Sequence, residues 1–570
     1  MDKACLTSYK SLLLWQLVLF VAKFSLIAAA NSPEVPHYSQ KTEVPMKKLL
    51  LISLPFLLVT TGFLVYRSAA QTSYVPTAQL CANGSKAPCS LVASSIGPDP
   101  LLHSGFGYSG LFGPLPTSPS NDLQTPFDNM AWQMFVALNW SAGAVNQPPS
   151  KGLTAPGRRV WQTYRKVSSL FGNSPVRAGC TSAVALPVFY IGSDGKGNPL
   201  PNNEEYFQAS TNLPLIDING NWVIFERRVN DIEANYLLAP NGHPEQTLTT
   251  IAGQANFILN SPWGAQFTSS STVPTGKNGS IEIKAAWRIL NRDAGDDPSR
   301  YYTQSAFLAV SGDLVQSGRQ FCSTVTLGLV GMHIIQRNQA NTQTNKLLPQ
   351  WIWATFEHVD NAPMAQSPCN VANGCGTNSS TNWINQATCG SASPSASVRY
   401  SFYKQNGPQG TNIAPVSSGA GKTNYAWNSQ QPYANGATTA ATSMPQATRC
   451  WSIYPTTAQL NTQWQNALAA YKTPLQNYML IGTQWGGNVE PREGNPLPDN
   501  AVPAMLSNLT LETYIQNYTG SDTNLPGPGS CVGCHAAARL PADKKTSADF
   551  SFLPLLAQPA TARSMIKTAR

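Results

Sequence analysis

A chain of 570 residues is too long for a single minimal module and long enough for one large domain or several. Only 11% of its residues are charged, while 42% are hydrophobic and 14 are Trp, which argues against disorder and suits a folded exported protein with long loops better than a cytosolic one. The formal charge of +9 comes from scattered Lys and Arg with no aromatic-basic motif, so no nucleic-acid partner is expected.

Two apolar runs, residues 12–30 and 49–66, flank a polar stretch that contains proline. The second reads as a signal peptide. Met46, Lys47 and Lys48 supply a start and a positive region, residues 49–65 an apolar one, and Ser68, Ala69 and Ala70 a cleavage site. Residues 1–45 are then an upstream extension, 46–70 the signal peptide, and the mature chain begins near Gln71 with a formal charge of +5. Left uncleaved, segment 49–66 would anchor the protein to a membrane; the alternative reading makes the two apolar runs membrane helices. Leaving aside Cys5 and the C-terminal pair Cys531 and Cys534, eight cysteines remain: 81, 89, 180, 322, 369, 375, 389 and 450. An even number permits four disulfides, which agrees with a periplasmic or secreted address.

Residues 71–124 are rich in Pro, Gly and Ser and read as an irregular leading segment. A helix follows, with Thr125 as cap, Pro126 in its first turn, Asp128 completing a capping box, and Trp132, Phe135, Val136 and Trp140 at helical spacing. Residues 158–171 predict a second, shorter helix. From about 183 to 360 the pattern changes to strands rich in branched and aromatic residues, at 185–192, 222–229, 281–290, 301–310, 325–336 and 351–359. Asn219-Gly220 predicts a type I′ hairpin turn. Asp293, Asp296 and Asp297 lack calcium-loop spacing and read as a solvated turn.

Residues 361–450 are dense in Ser, Asn, Gly and Ala and hold four of the cysteines, which predicts long loops stapled by disulfides. Helical spacing returns at Trp464, Ala467, Leu468 and Tyr471, with a further helix around 509–518. The fold expected is α+β. A strand-rich main domain with flanking helices covers 125–505, and a C-terminal segment, 506–570, packs on it.

That last segment carries Cys531-Val-Gly-Cys534-His535. C-x-x-C-H is the attachment signal for c-type haem: two thiols spaced to reach the two vinyl groups of one porphyrin, then an imidazole for its iron. Cys531 and Cys534 would carry the thioether bonds of one covalent haem c, and His535 would be the proximal ligand. Half a zinc site and a redox dithiol are the competing readings. The tail after His535 holds no further Cys or His for zinc, and 525–530, Leu-Pro-Gly-Pro-Gly-Ser, has loop chemistry where a thioredoxin-type dithiol would follow a strand. Only thirty-five residues follow His535, so the main domain must supply the rest of a haem pocket.

The second axial position decides between outer-sphere electron transfer and chemistry at the iron. His358, at the end of an apolar strand face, His333, and its neighbour Met332 are the candidate distal ligands, with strand alternation sending Met332 and His333 to opposite faces. Met479, Met505 and Met565 are further options. No nucleophile elbow, zinc-protease helix, phosphate-binding loop or dinucleotide fingerprint is present.

Six stretches together resemble a group of large exported bacterial proteins known as cytochrome c family proteins. They are 132–140 (Trp-Gln-Met-Phe-Val-Ala-Leu-Asn-Trp), 281–288 (Ile-Glu-Ile-Lys-Ala-Ala-Trp-Arg), Gly331-Met-His333, 353–361 (Trp-Ala-Thr-Phe-Glu-His-Val-Asp-Asn), 531–535, and 548–552 (Ala-Asp-Phe-Ser-Phe). The resemblance implies one covalent haem c and a periplasmic or secreted residence, with no settled substrate. The function expected is haem binding and one-electron transfer outside the cytoplasmic membrane, with an unidentified redox partner protein or small-molecule substrate. The alternatives are a haem c enzyme, an oxygenase or peroxidase with an open iron site, and a surface binding protein in which haem is structural.

Overall fold

A computed structural model describes residues 124–144, 149–171, 186–192, 203–208, 214–269, 278–315, 317–337, 351–363, 398–404, 446–451, 453–485, 506–516 and 531–557, together with Asn412, Trp427, Gln431 and Tyr433. All of them belong to one structural unit, Tyr74–Arg570. The upstream extension, the signal peptide, nearly all of the leading segment, most of 361–450 and six of the eight remaining cysteines lie outside the described residues.

The architecture is α+β, built on an eight-stranded sheet. Its strands are β1 (Arg165–Lys166), β2 (Val188–Ile191), β3 (Ile224–Val229), β4 (Ile281–Leu290), β5 (Thr303–Val310), β6 (Phe321–Arg337), β7 (Trp351–His358) and β8 (Tyr478–Trp485). β6 is the axis. One edge pairs with β4 along most of its length, while the other pairs first with β5, over 321–328, and then with β7, over 331–337. The sheet therefore forks into a β5–β2 branch and a β7–β8 branch, with β3 and β1 continuing beyond β4. Every pairing is antiparallel except β2 with β5.

Period-two alternation gives the sheet two different faces. Met332, Ile334, Ala354 and Phe356 join the core on one side, under α1 (Gln124–Leu138) and the later helix Pro455–Ala469. Phe135 stacks on Phe356 with centroids 4.2 Å apart, and Trp132 meets Trp464 at 5.7 Å. The two buried indoles are also satisfied across the helix pair, Trp132 donating to Asn461 (2.8 Å) and Trp464 to Asn129 (3.0 Å). Ile335, Trp351 and Trp353 face the opposite side. They are covered by helices α2 (Asp231–Leu238) and α3 (Ile251–Asn260) and by the C-terminal segment; Pro455–Ala469 is α4.

Several local expectations change. The first helix begins at Gln124, and Asp128 accepts from Gln124 (2.7 Å) and from Thr457 of α4, tying the two helices together. Residues 158–171 are not a helix. Tyr164 is extended (ψ 155°), and Arg165 and Lys166 pair with β3 as a short edge strand between two 3-10 turns. The 509–518 stretch forms turns over 509–516 in place of a helix. At Asn219-Gly220 only Gly220 takes a positive φ, 73°, so the turn is not type I′. Helices α2 and α3 escaped the sequence reading although each carries a side-chain cap, Asn230 accepting from Glu233 N and Thr250 from Gly253 N.

The turn at 293–297 is exposed at Asp293 and Asp297, as expected, but Asp296 is buried. Arg288, whose side chain is 2% exposed, donates to Asp217 (2.6 Å) and to Asp296 (2.7 Å). Burial pushes Asp217 upward while the guanidinium opposes it. Truncating this arginine would leave buried Asp217 without its cation and Asp296 with only the half-exposed Arg399 at 3.9 Å, so Arg288→Ala should lower the unfolding free energy by roughly 3–5 kcal/mol. Urea denaturation measures this, and a change within experimental error would contradict the triad.

Candidate functional site

Cys531–His535 forms one helical turn, α5, packed on the Trp353 face of the sheet. Spacing of three residues puts Cys531 and Cys534 on one side of the turn. Both are free thiols at intermediate exposure. Among the described residues no group of three or more His, Cys, Asp or Glu side chains is gathered closely enough to hold a metal ion, so the two sulfurs and His535 do not converge as zinc ligands would. Burial and the charge of Glu512 raise the Cys531 thiol well above its ordinary value and push Cys534 up to about 11. Such thiols are protonated at neutral pH, unlike those of a reactive dithiol.

His535 is held by Phe550, whose carbonyl oxygen lies 2.7 Å from Nδ1. A carbonyl can only accept, so Nδ1 carries the proton and Nε2 keeps its lone pair. Burial lowers the pKa of the ring to about 4, which keeps it neutral. Trp353 and Phe552 flank it, with centroids 5.8 and 5.0 Å away. These features fit a covalent haem. The thiols are free, the imidazole is fixed in a ligating tautomer by a backbone bond of the kind that orients metal ligands, and the motif is partly open. Cys531, Cys534 and His535 are the residues that would hold it.

The carbonyl of Phe550 is itself placed by an uncommon backbone. Asp549 and Phe550 both adopt left-handed conformations, φ 50° and 65°, which cost a non-glycine residue on the order of 1–3 kcal/mol each. Asp549 is clamped there: its carboxylate accepts from Phe267 N (2.8 Å) and pairs with Arg337 at the end of β6 (3.2 Å).

Of the three candidate distal ligands, the fold brings one to the motif. His333 points to the Trp353 face, and its Nε2 lies 2.9 Å from Glu512. His333, Glu512 and Lys284 are near enough for their charges to act on His535, and Glu512 acts on both thiols. The segment bearing Glu512 sits tightly on β6. A Cβ at Gly331 would come within 2.1 Å of Thr510 Oγ1, so a side chain there would displace the turn.

Met332 points the other way, fully buried in the helix-side core, with Asn139 Nδ2 4.0 Å from its sulfur. His358 is also fully buried on that side. Its Nε2 donates to Arg300 O (3.0 Å), its Nδ1 accepts from Asp360 N (3.1 Å), and it stacks on Tyr301 at 4.1 Å. Both ring nitrogens are used, so His358 serves packing. Met479 lies on β8 opposite Glu357, and Met505 and Met565 are outside the described residues.

Glu512, Asp549 and Gln484, whose Oε1 accepts from Val532 N (3.3 Å), were not found from sequence. The one legible sign was polar residues at alternate positions of an otherwise buried strand, Glu282 and Lys284 in β4, which mark a face that covers something polar.

Two outcomes follow. Asp549→Ala removes an acceptor and the carboxylate beside buried Arg337, and should cost roughly 3 kcal/mol in denaturant unfolding, with Asp549→Asn milder because Asn keeps an acceptor and tolerates positive φ. Burial lowers His358 from 6.5 to about 4, so between those pH values the unfolded chain binds more protons than the folded one. Stability should therefore fall as pH drops from about 6.5 to 4, by up to about 3 kcal/mol from this group. The difference in stability between wild type and His358→Gln, measured across that range, should carry the slope; a constant difference would contradict the assignment.

Comparison with protein families, with curated proteins and with solved structures finds no match for this chain.

Proposed function

We propose that this protein is an exported c-type cytochrome with one haem joined to Cys531 and Cys534, and that it works in one-electron transfer outside the cytoplasmic membrane. The observation that carries the reading is the bond from His535 Nδ1 to Phe550 O beside two free thiols in C-x-x-C-H spacing. Haem bound there supplies one iron that cycles between ferric and ferrous. His535 would hold the group through Nε2, with the Phe550 carbonyl keeping the imidazole in that tautomer and the Trp353 ring packed beside it. His333 is the second side chain that would hold the iron. With Nε2 engaged by Glu512, its Nδ1 is the atom left to ligate, and a carboxylate on the other nitrogen makes an imidazole a better donor.

An exported address is part of the proposal and rests on the signal-like segment 46–70. Among the described residues no helix is long and apolar enough to cross a membrane.

The His333–Glu512 pair also supports a second reading, a haem enzyme in which these two groups move protons near an open iron. Absorption spectra of the mature holoprotein, ferric and ferrous, with and without carbon monoxide, separate the two. The electron-transfer reading expects low-spin bands that carbon monoxide does not move, and a high-spin, carbon monoxide-binding spectrum in His333→Ala. High-spin iron that binds carbon monoxide in the wild type would instead favour the enzyme.

A further inference from the structure

The aromatic contact to His535 continues away from it. Trp353 lies 5.8 Å from His535, Trp351 6.3 Å from Trp353, Phe267 5.9 Å from Trp351, and Tyr236 4.9 Å from Phe267, all as ring centroids. These four residues are buried. The series ends at an open cleft of about 650 Å³ whose walls include Asn235, Tyr236, Gln266, Phe267, Thr268 and Arg337. That volume suits a small organic molecule.

Two features set this series apart from ordinary packing. The indole nitrogens of Trp351 and Trp353 are both buried with no hydrogen-bond partner, a cost of roughly 1–3 kcal/mol each that Leu or Phe would avoid. Trp427 in the opposite core also carries that cost, so what distinguishes the pair at these two inward positions of β7 is its place in an unbroken series of rings from His535 to the cleft. The cleft is also chemically selective. Arg337 lies over the Trp351 ring at 5.8 Å, and Asp549 offsets its charge. What remains is aromatic surface with neutral amides and hydroxyls, which fits a hydroxylated aromatic ring better than an anion.

We propose that this cleft docks a small hydroxylated aromatic electron donor and that Trp351 and Trp353 conduct its electron to the iron held by His535. The proposal rests on the haem reading above. In each event the donor loses one electron and releases a hydroxyl proton to water at the cleft mouth, and that electron reduces ferric iron to ferrous. No bond to iron forms or breaks. Tunnelling falls steeply with the gap between π systems, so rings at contact distance sustain a rate that aliphatic side chains would not.

The test uses the holoprotein, with covalent haem first confirmed by its pyridine haemochrome. Stopped-flow reduction of the ferric protein by hydroquinone is read as a ratio to reduction by dithionite, which needs no docking site. The wild-type rate should saturate with hydroquinone concentration. Trp353→Leu and Trp351→Leu should lower the limiting ratio at least roughly tenfold, with Trp353→Phe falling between them and the wild type. Asn235→Trp, at an exposed position on the rim, should raise the half-saturating concentration without needing any change in the core. A rate linear in hydroquinone and indifferent to all four substitutions would overturn the proposal while leaving the haem reading intact. A wild-type protein without covalent haem would overturn both, and the haemochrome shows this before any kinetics.

Discussion

The alternation of β6 is the constraint on which the rest depends. Successive side chains of one strand serve two different environments, Met332 and Ile334 a dry helix-backed core, His333 and Ile335 the face that receives the C-terminal segment. A one-residue slip would exchange them, burying His333 under α1 and offering Met332 to the motif. The register is fixed from both edges, by β4 along its length and by β5 and β7 in turn, and Gly331 leaves no room for a side chain at the step between them. Chemistry placed on a strand in this way is held more firmly than chemistry on a loop.

The same face carries the candidate site at some cost to stability. Two left-handed residues, Asp549 and Phe550, and two unpaired indole nitrogens are each unfavourable taken alone. They cluster around His535. The large aromatic core under α1 and α4 and the buried Arg288 triad lie elsewhere in the sheet and supply the rigidity that holds this region in place. This arrangement answers the question raised by the chain's length. Residues 531–557 pack against the face of an eight-stranded sheet, and that face would wall any group held at His535.

Much of this was legible where the pattern was local. β4 occupies the 281–290 that its branched and aromatic residues predicted, and β7 differs from its expected range by one residue, because long stretches rich in such residues leave few alternatives. Residues 158–171 failed as a helix because the edge pairing of Arg165 and Lys166 is decided by β3, more than sixty residues away. α2 was missed although Asn230 and Glu233 stand in capping-box spacing, since its short apolar pattern is weak. At the site, C-x-x-C-H needed no structure. Finding which of His333, His358 and Met332 lies near the motif did need it, because what separates them is which face of a strand each occupies and, for His358, that both ring nitrogens are taken. Glu512 and Asp549 were beyond sequence for the same reason: their partners, His333, Arg337 and Phe267, are more than 170 residues away.

The most direct test of the central claim is the intact mass of the mature protein, produced in a bacterial periplasm with the cytochrome c maturation machinery and denatured in acid before measurement. The account predicts a mass raised by one haem that survives denaturation, and loss of that covalent haem when Cys531 and Cys534 are both replaced by Ser. An unmodified wild-type mass, from protein matured alongside a known cytochrome c that does acquire its haem, would contradict it.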